Sequence, residues 1–273
     1  MTTMQHLQRP VGELLRAWRE HRRLSQLELS IQAGVSTRHL SFVETGRSKP
    51  SRDMVLHLAE ELELPLRERN HLLLAAGYAP VYGETALDSP RMSAVRGAVR
   101  QVLRGHEPHP AVVVDRAWNL VDANAGVALF FTEDVSPELL EQPNVLRLSL
   151  HPKGMAPSIT NLGEWRAHLL ARLRHQITLT ADPDVTALYN ELRDYPCDQP
   201  EPDLELPHPG EIVVPLRIRR EGRDLAFFST VTTFGTPLDI TVAELAIEAF
   251  YPADAATAAY LREAAGYLLD AAG

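Results

Sequence analysis

The chain has 273 residues, 45% of them hydrophobic, and a formal net charge of −9. This length favours two domains, and the sequence contains no run of about 20 apolar residues, the length that a membrane-spanning helix requires. The single cysteine, Cys197, excludes an internal disulfide framework, and the N-terminus has no apolar signal core, so we expect a cytoplasmic protein.

The charge is divided unevenly along the chain. Residues 1–80 hold eleven Lys and Arg against nine Asp and Glu, a balance of +2, whereas the remaining residues carry −11. Because an acidic surface repels the phosphates of nucleic acids, a nucleic-acid-binding surface is expected only in the first eighty residues.

The pattern of the first eighty residues predicts five short helices. The first, 11–23, is amphipathic. The second starts after Ser25, which can form a capping box with Glu28, and it ends at Gly34, where a left-handed backbone costs least. The buried side of this second helix is expected to consist of Leu27, Ile31 and Ala33.

The third predicted helix, 37–44, follows the turn directly. Ser36 is its expected N-cap, Leu40 and Val43 face inward, and the exposed side is polar. Two helices joined by a tight turn that contains glycine, the second with a polar exposed side, form the helix-turn-helix pattern.

Two further helices, 51–62 and 66–76, complete a predicted helix-turn-helix domain of residues 1–80. Residues 81–90 are rich in Pro, Gly and turn formers and are predicted as a linker. A second domain is expected over 91–273.

Eight residues of the first domain occupy the positions of a known motif: Gln26, Leu29, Gly34, Val35, Ser36, Glu44, Gly46 and Pro50. On these residues the region resembles the XRE family of phage-repressor-like regulators, in which the second motif helix lies in the major groove of DNA. The resemblance implies a DNA-binding surface made of Gln26, Ser36, Thr37, Arg38, His39, Ser41, Arg47, Ser48, Lys49 and Arg52.

The resemblance also assigns roles within this surface. Gln26 would hold a phosphate, and Thr37 and Arg38 would face bases. Phe42 departs from those family members that read a base with Gln at its position.

Two buried features of the family bear on this domain as well. Arg19 and Glu44 match an internal ion pair of the family rather than a DNA contact. Ser30 stands where the family usually has Ala at the helix crossing.

Residues 91–273 combine strand-like and helical patterns. The predicted elements are, in chain order, a helix over 90–104, strands 111–115 and 118–122, a short helix over 124–131, helices 161–178 and 183–193, strands 212–219, 225–234 and 238–250, and an Ala-rich helix from 254 onward. This is the order of a PAS-like domain. The predicted fold class is therefore α+β with two domains, the second built on a five-stranded antiparallel sheet with helices over one face.

The second domain contains four segments that match a known pattern: VVVDRAWNLVDANA at 112–125, LHPKG at 150–154, NLGEWRAHLLARLRHQ at 161–176 and FFSTVTTFGTPLDITVAELAIEAFYPAD at 227–254. On these segments it resembles the ligand-binding domain of MmyB-like bacterial regulators. The resemblance implies a small-molecule effector, and a fatty-acid-like molecule has been found with a member of that family.

The residue types are compatible with an apolar cavity that has positively charged side chains at its entrance. The candidate ligand-binding residues are Trp118, Phe130, Trp165, Arg166, His168, Leu169, Arg172 and Phe228, of which Arg166, His168 and Arg172 suit a carboxylate. Alternatively, the apolar residues fill a core and the arginines are solvated. The second domain would then be a ligand-free dimerisation or partner-docking module.

Eleven histidines raise the question of a metal site, which their spacing does not favour. His106 and His109 belong to a loop with proline, and His168 and His175 lie two helical turns apart, roughly 10 Å. A haem site needs only one axial histidine, and the sequence does not exclude it. No Gly-rich phosphate loop or nucleophile elbow is present, so no catalytic function is predicted.

Together these patterns predict a transcription regulator. It would act as a homodimer, bind a double-stranded DNA operator with half-sites about one helical turn apart, and respond to a small apolar or fatty-acid-like effector. No cofactor, metal or membrane association is expected.

Overall fold

The computed structural model describes residues 9–131, 135–202 and 214–271. The chain divides into two compact units, Met1–Ala86 with Thr236–Ala243, and Leu87–Gly235 with Glu244–Gly273. Within the described ranges, no helix combines the length and the apolar character needed to cross a membrane.

The first unit is helical. Its helices are α1 Val11–His21, α2 Gln26–Gln32, α3 Thr37–Glu44, α4 Arg52–Glu61 and α5 Leu66–Ala75. They enclose one hydrophobic core in which Leu15, Leu29 and Val55 are completely buried. The predicted helix-turn-helix architecture is confirmed, with Gly34 in the left-handed region at φ 62° between α2 and α3.

Close packing of α1 against α3 requires a glycine at position 12. A Cβ atom at Gly12 would lie 2.2 Å from the backbone oxygen of Val43 and 2.8 Å from that of Glu44. Because Gly12 has no side chain, the backbone of α1 can contact the backbone at the C-terminal end of α3. This contact fixes the orientation of α3 relative to α1.

The buried side of α2 differs from the prediction. Leu27 and Ile31 are 58% and 70% exposed, whereas Leu29 and Ser30 are buried together with Ala33. Ser30 is accommodated because its hydroxyl donates a hydrogen bond to the Leu27 carbonyl at 2.8 Å. The prediction was wrong for Leu27 and Ile31 because a seven-residue helix is too short for its apolar spacing to select one side.

Residues 81–86, predicted as part of a linker, are anchored in the first unit. The side-chain oxygen of Asn70 accepts hydrogen bonds from the backbone of Val81 and Tyr82, and Thr85 donates its hydroxyl to Asp239 at 2.7 Å. The segment Thr236–Ala243 therefore completes this unit. It contains a short helix, α11 (Ile240–Ala243), where the sequence predicted the first half of a strand.

The second unit is built on a five-stranded antiparallel sheet. Its strands are β1 Ala111–Val114, β2 Leu120–Ala123, β3 Leu216–Arg220, β4 Arg223–Thr233 and β5 Ala246–Pro252. Their spatial order is β2-β1-β5-β4-β3, so β5 lies in the centre and pairs Val113 of β1 with Ile247. The predicted α+β class and five-stranded sheet are confirmed. Residues 212 and 213 of the predicted third strand lie outside the described ranges.

Helices cover both faces of this sheet, rather than one as predicted. The helices of the second unit are α6 Ser93–His106, α7 Pro137–Glu141, α8 Val145–Leu150, α9 Leu162–Thr180, α10 Pro183–Arg193 and α12 Ala255–Ala271. Helix α6 packs its Val99 and Leu103 against Val113 and Ile247, while α8, α9 and α10 pack in the cluster on the opposite face. Strand β1 is buried on both faces because both sets of its alternating side chains are apolar.

Candidate functional site

Helix α3 presents a short polar surface from a firmly capped start. The hydroxyl of Ser36 accepts a hydrogen bond from the backbone N–H of His39 at 3.1 Å, so Ser36 is the N-cap as predicted. Leu40 and Val43 are buried in the unit core. Capping and core packing together fix the orientation of α3 and leave its opposite side accessible.

A buried ion pair links α3 to α1. Arg19 donates from Nε and Nη2 to the two carboxylate oxygens of Glu44, at 2.7 and 2.9 Å, and both side chains are buried. The hydrogen bond to Glu44 raises the pKa of the Arg19 guanidinium. This is the internal ion pair that the sequence predicted, and it holds the C-terminal end of α3.

Two predicted DNA-contacting side chains have partners inside the unit. Gln26 donates its amide to Glu44 at 2.8 Å. The hydroxyls of Thr37 and Ser30 lie 2.8 Å apart, and because Ser30 already donates to a carbonyl, Thr37 is the donor. These bonds orient Gln26 and Thr37 within the motif and reduce their freedom to reach outward.

Two exposed arginines of the first unit lie beside Phe42. The guanidinium carbon of Arg38 lies 5.3 Å from the centre of the Phe42 ring and that of Arg47 lies 6.0 Å away. Half-buried Phe42 thus offers its ring to two arginines. Among the predicted surface residues, Arg38, Arg47, Lys49 and Arg52 are exposed, and His39, Ser41 and Ser48 are half-buried.

The second unit contains an apolar cavity between the sheet and its covering helices. The empty volume is about 570 Å³, part of it open to solvent. Strands β1, β2, β3 and β5 contribute Val112, Leu120, Leu216 and Phe250 to its wall, and α9 contributes residues such as Leu169. Among the described lining residues, the hydroxyl and charged side chains are those of Ser149, Arg172 and Glu248.

The charged part of this wall is a single ion pair. Arg172 donates from Nη1 to Glu248 at 2.7 Å, and Glu248 is only 2% exposed. The Arg172 guanidinium carbon also lies 4.1 Å from the centre of the Trp118 ring. Trp118 itself is buried and donates its indole N–H to Gln176 at 2.8 Å.

The predicted ligand-binding residues fall into two groups. Phe130, Trp165, Leu169 and Arg172 line the cavity, whereas Trp118, Arg166, His168 and Phe228 do not. Phe228 pairs with Tyr251 and stacks on its ring, on the sheet face opposite Glu248 and Phe250.

The other two cationic candidates have their own environments. Arg166 is buried, pairs with Glu201 and donates to the Arg193 carbonyl. His168 stacks on Trp165, and burial, aided by the charge of Arg172, lowers its pKa.

Sequence reasoning missed Glu248 and Ser149. Glu248 interrupts the apolar strand AIEAF, and strand alternation places it on the same face as Phe250. A charged residue among apolar neighbours on one face could therefore have been recognised from the sequence as a candidate site residue. Ser149 accepts the indole N–H of Trp165 at 2.9 Å, a contact between α8 and α9 that no local pattern indicates.

Two family descriptions match the chain. The MmyB-like transcription regulator ligand binding domain matches residues 95–264, and a helix-turn-helix domain matches residues 10–72. Both agree with the resemblances that the sequence carries. No curated protein matches significantly.

Proposed function

The chain belongs to the MmyB-like transcription regulators, since their ligand-binding domain matches more than half of it, and from this premise we propose how its two units work. The first unit binds an operator in double-stranded DNA through α3. The second senses a small apolar or fatty-acid-like molecule and has no catalytic role. The observation that carries this proposal is the apolar cavity in the second unit.

The proposal for DNA binding is supported by the exposed polar surface of α3 and its cations. Arg38 is exposed early in the helix, where a recognition helix contacts base edges. Arg47, Lys49 and Arg52 follow α3 and are exposed, as phosphate-contacting residues must be.

We further propose that the protein acts as a homodimer in the cytoplasm. One small basic surface gives limited affinity, and two recognition helices about one turn of DNA apart would double the contact. Analytical ultracentrifugation of the full chain, free and on selected operator DNA, tests this. A monomer in both states would contradict it.

Replacing Lys49 by Ala should weaken binding to all duplexes equally, because a lysine that touches phosphate carries no sequence information. The slope of log affinity against log salt should become shallower by about 0.9 for each phosphate that the variant no longer neutralises. Lys153→Ala is the matched control, because Lys153 is exposed in the second unit and is the other lysine of the chain. A sequence-selective loss would contradict the phosphate assignment of Lys49.

Ligand sensing is favoured over the ligand-free docking module because the second unit contains empty, mostly apolar space that is partly open to solvent. A filled core would have favoured the docking module. For regulation, the ligand must bind the DNA-competent state and its alternative with different affinities, since equal affinity would shift neither population.

Leu120→Trp tests the cavity directly. Leu120 lines it, whereas the next residue of β2, Val121, is exposed. We expect Leu120→Trp to abolish the thermal stabilisation that apolar probes give the wild type, because the indole occupies the space, and Val121→Trp to preserve it. If no apolar probe stabilises the wild type, the sensor proposal fails and the docking module takes its place.

A further inference from the structure

The charged groups in the cavity wall cancel one another. Among the described lining residues only Arg172 and Glu248 are charged, and they are bonded to each other at 2.7 Å. Arg172 therefore has its counter-ion before any ligand enters. Of the two other cationic candidates, Arg166 is paired with Glu201, and burial lowers the pKa of His168, which disfavours its charged form.

Arg172 nevertheless has unused hydrogen-bond donors. Its Nε and Nη2 atoms are sealed from solvent and have no hydrogen-bond partner among the described residues. In this chain the same edge of Arg19 binds both oxygens of Glu44, and that of Arg147 binds both oxygens of Glu191. The Nε and Nη2 edge of Arg172 thus suits an acceptor that the described residues do not supply, and leaving these donors without a hydrogen bond costs free energy.

We propose that the cavity binds a molecule with an apolar chain and an uncharged carbonyl head, such as an ester, lactone or amide. This inference rests on the proposed sensor function and narrows its ligand class. The carbonyl oxygen accepts from Nε and Nη2 of Arg172, and the bond from Nη1 to Glu248 is kept. The apolar chain lies against the aliphatic and aromatic wall.

Charge separates this head group from a free carboxylate. A carboxylate could accept from the same edge, but it would place a second negative charge beside buried Glu248 and leave the apolar cavity with a net charge of −1. A neutral carbonyl meets the same donors without that desolvated charge. Unlike a hydrocarbon, it also satisfies the donors that otherwise stay unpaired.

Three probes with the same chain length test the inference on the full-length protein: octanoate, methyl octanoate and octane, each measured by equilibrium dialysis at pH 7. Methyl octanoate should bind at least about tenfold more tightly than octanoate, because the anion must be buried without a free counter-ion, and more tightly than octane. Octanoate binding as tightly as its ester, or octane as tightly as the ester, would overturn the head-group inference while the sensor proposal stands. Binding of none of the three would overturn both.

A charge-removing variant examines the cause of the selectivity. Glu248→Gln keeps the shape of the side chain and frees the charge of Arg172, so octanoate affinity should rise about tenfold relative to that of methyl octanoate. Glu244→Gln is the matched control outside the lining and should leave the ratio unchanged. An unchanged ratio in a folded Glu248→Gln protein would refute the charge argument. If that variant does not fold, the wild-type comparison of ester and anion decides alone.

Discussion

Replacing Arg19 by Met is expected to lower the free energy of unfolding of the helix-turn-helix unit by about 3–5 kcal/mol, because it leaves the buried carboxylate of Glu44 without a partner. The Glu44 side chain is 1% exposed and depends on two bonds from Arg19 and one from the Gln26 amide. Met preserves most of the apolar stem, so the loss should come from the unpaired charge. Since Glu44 ends α3, the orientation of the recognition helix should loosen as well.

Arg16→Met provides a control in the same helix with the same substitution. Arg16 bonds Glu20 at 2.8 Å, a distance close to that of the buried pair, but both side chains are more than half exposed. Such an exposed pair contributes little to stability, because water screens the two charges. Because the chain has two units, hydrogen exchange of the α1 and α3 amides in the full-length protein is a better measurement than a single melting temperature. Equal protection losses in the two variants would show that burial of the Arg19 pair adds no stability.

Replacing Arg38 by Ala is expected to weaken binding to selected operator sequences by about 1–3 kcal/mol, roughly five- to 150-fold, and to relax the preference at one base position. Arg38 is exposed in the first turn of α3 and its guanidinium is held near the Phe42 ring, 5.3 Å from the ring centre. A supported guanidinium loses less freedom on binding, which favours a bidentate contact with a base. The measurement is a comparison of affinities for duplexes selected from a random library and for unselected duplexes.

Arg38→Lys distinguishes base reading from phosphate contact. Lysine retains the positive charge but cannot offer the planar pair of donors. If Arg38 reads a base, Arg38→Lys should lose most of the selectivity and retain the affinity for unselected DNA. If Arg38→Lys behaves as the wild type, or if Arg38→Ala weakens both classes of duplex equally, Arg38 contacts only phosphate.

The local elements of the first unit follow from the sequence because their signals are local. Ser25 and Ser36 each accept a bond from the backbone N–H three residues on, and Gly34 takes the left-handed conformation that ends the motif's first helix. These interactions span a few residues and do not depend on the rest of the fold. The Arg19–Glu44 pair was also predicted, although its residues are 25 apart, because the family motif encodes it.

The positions of cavity residues required more than local patterns. Phe227 and Phe228 are adjacent, and strand alternation places them on opposite faces, but the sequence does not say which face encloses the cavity. The register of β4 with β5 decides it, and Phe228 lies on the face away from Glu248. Likewise, residues 238–243 form the first part of the predicted strand 238–250 yet fold as part of the first unit, where Asp239 accepts from Thr85.

The sequence by itself determined the two-part organisation, the helix-turn-helix motif and the five-stranded sheet, because these depend on periodicity, capping and motif spacing along short stretches. The family followed from the resemblance that its quoted segments carry. Only the tertiary structure decided that Arg172 meets Glu248, 76 residues away, and that both lie in the wall of one apolar cavity. The physical reason is that a buried charge takes its stability from whichever opposite charge the fold brings within hydrogen-bond distance, and local spacing carries no record of that pairing.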